Sequence, residues 1–264
     1  MTVDRKFNLM RWIARYWGVF LISVMVLTSQ VQAQQSVRDS VISCVVMDFA
    51  YTLQFPGGDL ADRFGRNSAV GGGIYYKTKR NWIFGGSGSF IFGNDVKDLS
   101  MLDLFRDENG GIPGTTGLYA NVVVFQRGFT AQGQVGKIFP WFGPNPNSGI
   151  MVLGGLGMMQ HNIRYQDDVQ EVPLLNGDSE KGYDRLTNGL MLSQFIGYRY
   201  LGNKRLLNFI FGFEAMQGFT QNRRGYNYDT GQPDTESRLD LLYGVKVGLS
   251  LPLYKRVPKE FYYE

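Results

Sequence analysis

The stretch Arg238-Leu-Asp-Leu-Leu-Tyr-Gly-Val-Lys-Val-Gly-Leu-Ser-Leu-Pro-Leu253 decides the fold. Leu239, Leu241, Tyr243, Val245, Val247, Leu249 and Leu251 occupy one parity, and Lys246, Gly248 and Ser250 the other. Successive side chains of a strand point to opposite faces, so this alternation describes a strand with one apolar face and one small or polar face. The internal glycines argue against a helix, where each costs about 1 kcal/mol relative to alanine.

The same pattern repeats upstream. Leu207, Phe209, Phe211, Phe213 and Ala215 oppose Asn208, Gly212 and Glu214, while Val45, Met47, Phe49, Tyr51, Leu53 and Phe55 oppose Asp48, Ala50, Thr52 and Gln54. With turn signals between them, eight strands are expected, at about 44–54, 68–78, 82–93, 117–140, 149–165, 186–200, 206–219 and 238–253. Gln126-Arg127-Gly128 could instead form a hairpin and change that number. Connections alternate between short (78–81, 141–148, 201–205) and long and polar (55–67, 94–116, 166–185, 220–237). An even number of strands with short turns at one end and long loops at the other fits an antiparallel transmembrane β-barrel. A soluble lipocalin-like barrel is the competing architecture. It requires a charged outer face, whereas the second face here is mostly Gly, Ser, Thr and Gln.

Aromatic residues gather near the expected strand ends. Trp82, Phe139, Trp141, Tyr198, Tyr200 and Tyr254 lie at the short-turn end, and Tyr51, Phe55, Phe90, Phe92, Tyr165 and Phe219 at the loop end. Two such girdles are expected where amphipathic rings meet both lipid interfaces.

The chain begins with Arg5, Lys6, Arg11 and Arg15, an apolar run from Tyr16 to Leu27, and Val31-Gln32-Ala33. These are the parts of a secretory signal peptide, expected to span residues 1–33. The expected organisation continues with a periplasmic N-terminal segment (34–43), the barrel (44–253) and a periplasmic C-terminal tail (254–264). The formal charge of +4 includes +3 from the signal, so the mature chain is nearly neutral and nucleic acid is not an expected partner.

The Gln32-Ala33-Gln34-Gln35 junction, the Gly71-Gly72-Gly73 strand and the eight alternating segments together resemble the small outer-membrane β-barrel proteins of Bacteroidota, similar in architecture to the OmpA and OmpX type. The resemblance implies an integral outer-membrane location, outer-membrane lipid as a partner, and both termini in the periplasm. Phe261-Tyr262-Tyr263 in the tail would then supply the C-terminal aromatic assembly signal.

Glycine makes up 34 of 264 residues, with 19 Phe and 15 Tyr, but there is one cysteine and one histidine. Cys44 cannot form an internal disulfide, and His161 has no second histidine for a zinc or copper site. No metal or other cofactor is expected. His161 shares parity with Leu153, Met159 and Ile163 and is expected to face lipid or the interface, away from any nucleophile. Gly154-Gly155-Leu156-Gly157 precedes no helix, so a phosphate loop is not expected either. No catalytic residue and no small-molecule substrate are assigned.

Charges separate by end. The long loops carry an acidic excess, with Asp167, Asp168 and Glu171 as a candidate cation or partner site. The opposite end carries Lys79, Arg80, Lys204, Arg205, Lys255 and Arg256 as a basic rim, and Lys77 and Arg199 are assigned there too. Asp48, Glu214 and Lys246 fall on the polar parity and are expected to form one mutual network inside the barrel, since an unpaired buried charge is costly. The leading functional expectation is a non-enzymatic accessory subunit of an envelope complex for secretion or outer-membrane assembly, docked through the basic rim and tail to other envelope proteins. The alternatives are a stand-alone surface barrel with adhesive or ligand-binding loops, or a small passive pore.

Overall fold

The computed structural model describes residues 40–254 except 168–170, 176, 178 and 204–206. The expected signal peptide and nearly all of the expected tail therefore lie outside the described residues. Eight strands follow one another: β1 (Cys44–Gly58), β2 (Asn67–Lys77), β3 (Trp82–Gly93), β4 (Val122–Phe139), β5 (Gly149–Asp167), β6 (Thr187–Leu201), β7 (Asn208–Asn222) and β8 (Ser237–Leu253). Each pairs antiparallel with the next, and β8 returns to β1 from Val45↔Leu253 to Gly58↔Asp240. The result is an all-β closed barrel, which leaves no strand edge unpaired.

The expected boundaries are met within a few residues, apart from the start of β4. Residues 113–119 instead close a small turn, with the Gly114 N–H donating to Leu118 O at 2.8 Å, and β4 starts at Val122. Gln126-Arg127-Gly128 runs straight through β4, paired to β3 on one side and β5 on the other.

The apolar parity faces outward. Phe49, Phe90, Leu190, Phe213, Phe219, Val247 and Leu249 are all more than half exposed, whereas Asp48, Gln126, Ser193, Glu214 and Asp240 are buried inside. The distribution is inside-out relative to a water-soluble domain, whose charged groups face solvent. β5 is the exception to a clean reading, because both of its parities are apolar. Its inward set is Met151, Leu153, Met159, His161, Ile163 and Tyr165, and its outward set includes Val152, Leu156 and Met158. His161 is 1% exposed, which corrects its expected lipid-facing position, and Tyr165 is buried and takes no part in the outer girdle. The register with β4 and β6 fixes the pleat that hydrophobicity alone leaves open.

Two apolar clusters fill the lumen ends. At the short-turn end Tyr75, Ile83, Ile138, Met151, Leu153, Phe195 and Ile210 pack together. At the loop end a larger cluster includes Leu60, Phe64, Ile91, Met159, Ile163, Met191 and Leu242. Its outer members Met101, Leu102, Val172, Leu175 and Tyr183 come from the loops, so the long connections fold back over the mouth. Leu60 and Arg63 belong to a short helix, α1 (Asp59–Arg63), that turns inward directly after β1. Gly58 makes the turn possible at φ 57°, ψ −148°, where a side chain would meet Leu239 O at 2.4 Å.

Candidate functional site

The chemistry of the molecule is concentrated in three buried polar tiers and a braced loop surface. The lowest tier closes the short-turn end. Lys77 Nζ donates to Ile42 O (3.0 Å) and Asn147 Oδ1 (2.8 Å), and the Ile42 N–H donates to the same Asn147 oxygen at 3.0 Å. Asn147 Nδ2 reaches back to Ser40 O at 2.8 Å. The β4–β5 turn and the chain before β1 are thereby stitched across the barrel base.

The middle tier holds Asp48, Glu214 and Lys246, as two separate pairs and not as the single mutual network expected. Asp48 pairs with Arg199 and accepts from Ser250 Oγ at 2.7 Å, while Lys246 pairs with Glu214 and lies 5.7 Å from the Phe195 ring centre. Asp48 and Lys246 line the same internal cavity of about 40 Å³, enough for one or two waters. Tyr75 Oη and Ser87 Oγ both donate to Gln134 Oε1, at 2.6 and 2.9 Å, and Ser193 bonds Gln132. The Tyr75 ring occupies the space that a side chain on Gly73 would need, at 2.6 Å from its Cβ position. Arg199 and Lys77 are fully buried, which corrects their assignment to the basic rim. Their strand parity turns them inward, where Asp48 and Asn147 meet their charge.

The mouth tier has no counterpart in the sequence reading. Asp240 on β8 accepts from Arg63 Nη2 at Oδ1 (2.9 Å) and from Thr220 Oγ1 at Oδ2 (2.5 Å), and Oδ2 also lies 2.8 Å from His161 Nε2. Arg63 Nη1 also donates to Thr187 Oγ1 at 3.2 Å. Burial lowers the Arg63 pKa and the Asp240 carboxylate opposes that shift. The cluster ties α1 to β5, β6, β7 and β8. The available signals were weak: an aspartate inside the β8 alternation and an arginine that looked like loop charge.

Ion pairs brace the loops to each other. Arg185 spans Asp98 (3.2 Å) and Asp229 (2.7 Å), and Arg224 grips Asp184 through Nε (2.9 Å) and Nη2 (2.5 Å). Asp234 accepts from Asn222, Asn227 and Arg238; despite the opposing effect of partial burial, these bonds hold its pKa at about 2. Burial pushes the Glu180 pKa up.

The acidic candidates do not converge on an open site. Asp167 is inward and buried and accepts the Val172 N–H at 2.7 Å, while Glu171 accepts from Thr116 Oγ1 at 2.7 Å. Both connect loop segments, and Asp168 lies outside the described residues. Of the basic rim, Lys79 and Arg80 are exposed on the β2–β3 turn; Lys204, Arg205, Lys255 and Arg256 lie outside the described residues. Among the described residues, no group of three or more His, Cys, Asp or Glu side chains is arranged to hold a metal.

Fold and tiers together define a closed, eight-stranded antiparallel barrel with an apolar exterior and a packed polar lumen. No protein-family model and no curated protein sequence matches the chain. Among solved structures, the chain is similar to Ail, the attachment invasion locus protein of Yersinia pestis, at 8% identity and TM-score 0.44, over 80% of this chain and 100% of that one. It is also similar to Neisserial surface protein A (7% identity, TM-score 0.43, 80% and 99% covered). The N-terminal β-barrel domain of Pseudomonas aeruginosa OprF matches at 12% identity and TM-score 0.37, over 80% and 100%.

Proposed function

We propose that the protein is an integral outer-membrane β-barrel of non-enzymatic type, exported by residues 1–33, whose sealed lumen serves as a rigid scaffold for the surface formed by its long loops. The observation that carries this reading is the inside-out distribution of side chains: large apolar residues cover the outside of a closed ring while charged residues lie paired within it. Water is a poor solvent for such an exterior, and a bilayer satisfies it because every strand is hydrogen-bonded on both sides. The Bacteroidota-type resemblance is part of this proposal and rests on the sequence features quoted above.

The loop surface is the best-supported functional face. Ion pairs through Arg185 and Arg224 hold three loops in one arrangement, which preorganises a surface for contact with a ligand or cell surface. A passive pore has the least support, because polar tiers and two apolar clusters fill the lumen around a cavity of only about 40 Å³. The accessory-subunit reading keeps one specific observation in its favour, the exposed Lys79 and Arg80 at the short-turn end.

Membrane integration is tested by carbonate extraction and by electrophoresis with and without heating. The expected result is a carbonate-resistant protein whose unheated form migrates differently from the heated one. Release into the soluble fraction refutes the proposal. Co-purification from native membranes, with and without residues 257–264, then separates the two roles: a partner lost on truncation favours the accessory subunit, and a lone monomer favours the surface barrel.

A further inference from the structure

Charge on the outer wall of the barrel is sparse and of one sign. Across the described strands, the outward parities carry Arg127 and Lys137 on β4 and Arg164 on β5, and no carboxylate. Lys137 lies ten positions along β4 from Arg127, and Phe129, Ala131, Gly133 and Val135 are the outward residues between them. At about 3.4 Å per residue and a strand tilt of about 40°, the two charges stand about 25 Å apart along the barrel axis. That span matches the height of the apolar band of a bilayer-embedded barrel. Lys137 lies 5.6 Å from the ring centres of both Trp82 and Phe139, as expected at one interface, so Arg127 marks the other.

At that second level a surface groove of about 450 Å³ opens between the outward faces of β1 to β4. Arg66 and Arg127 lie on it, with Tyr51, Leu53, Phe92 and Phe125 supplying apolar walls. Arg127 covers the Phe125 ring at 4.8 Å, and its Nη1 donates to Gln126 O at 2.9 Å. Arg164 sits directly across from Phe125 on β5, placing it about 7–8 Å diagonally from Arg127. Among the described residues, none of the three arginines forms an ion pair. Asp95 is engaged by the Arg66 backbone N–H (3.1 Å), and Glu180, within electrostatic reach of Arg164, by the Tyr165 N–H (3.3 Å). Like charges held side by side at a low-dielectric boundary call for an anion, and guanidinium groups match phosphate in shape and charge.

We propose that this groove binds the phosphate-bearing headgroup of an anionic membrane lipid in the loop-side leaflet. Arg66 and Arg127 hold the phosphate, Arg164 adds to the positive field, and the acyl chains run down the wall on the short-turn side of Arg127, formed by Tyr51, Val70, Phe90 and Phe129. The inference rests on the membrane-barrel reading above.

The test reconstitutes the full chain in vesicles with equal phosphatidylglycerol and phosphatidylcholine, followed by native mass spectrometry of the extracted protein. Wild type is expected to retain phosphatidylglycerol severalfold over phosphatidylcholine. The R127Q/R164Q variant should lose that preference, and R127K/R164K should keep most of it. Unheated electrophoretic migration confirms that each variant is folded. Insertion with no lipid preference, or an unchanged preference in R127Q/R164Q, overturns the inference and leaves the barrel reading intact; failure to insert at all refutes the barrel reading itself. Saturation of the groove by inorganic phosphate alone, or a discrete dimer abolished by R127Q/R164Q, would reassign the site to a free anion or to a second copy of the chain and also overturns it.

Discussion

Asp240 shows how much can rest on one side chain. It is fully buried and bonded to Arg63, His161 and Thr220, so replacing it with alanine strands a guanidinium in the mouth of the barrel. Asp240→Ala is expected to lower stability by about 3–5 kcal/mol, measured by urea titration of the barrel in detergent. Adding Arg63→Met should restore a large part of that loss, because the second change removes the uncompensated charge. The same reasoning makes Lys246→Met alone more harmful than Lys246→Met with Glu214→Gln. At Gly58 the effect is steric: with φ at 57° and Leu239 O at 2.4 Å from the added Cβ, Gly58→Ala is expected to cost about 1–3 kcal/mol and loosen α1. A difference below the error of the urea titration would show that α1 does not depend on this turn. Asp48, Glu214 and Lys246 were legible in the sequence because each interrupts a strand whose other face is strongly apolar. His161 was misread because β5 is apolar on both faces, so period-two alternation gives no sign of which side faces the lumen.

At the scale of single elements, the loop between β7 and β8 has a built-in acid sensitivity. Asp234 has a folded pKa of about 2 against an ordinary value of 3.8, so its contribution to loop order is complete above about pH 4. As the pH falls from 4 towards 2 the carboxylate is protonated and that contribution is lost. Hydrogen-exchange protection factors across 223–236, corrected for the slower intrinsic exchange in acid, are expected to fall over that window, and Asp234→Asn should flatten their pH dependence. Arg185 tests the bracing between loops: Arg185→Ala should speed exchange in both 98–105 and 227–231, since its guanidinium contacts Asp98 and Asp229. Exchange altered on only one side would show that the loops are held independently. The strands were legible to within a few residues at most ends. α1 and the turn at 113–119 were not, because five- to seven-residue elements are set by what they pack against more than by local propensity.

Among the described residues, the barrel as a whole is filled from end to end. Lys77, Asn147 and Ile42 close one end, Arg63 and Phe64 close the other, and the paired charges fill the middle. Planar-bilayer recordings of the reconstituted protein are therefore expected to stay at baseline, and stepwise conductance in wild type would contradict the seal. By itself, the sequence determined the eight strands, their order, and the face of nearly every strand that turns outward, because period-two alternation and turn composition are local properties of a chain. Which charges meet across the lumen was decided only by the tertiary structure. Arg199 finds Asp48 and His161 finds Asp240 through closure of the ring, which brings strands far apart in sequence to facing positions around one lumen, a consequence of register and curvature that no local pattern encodes.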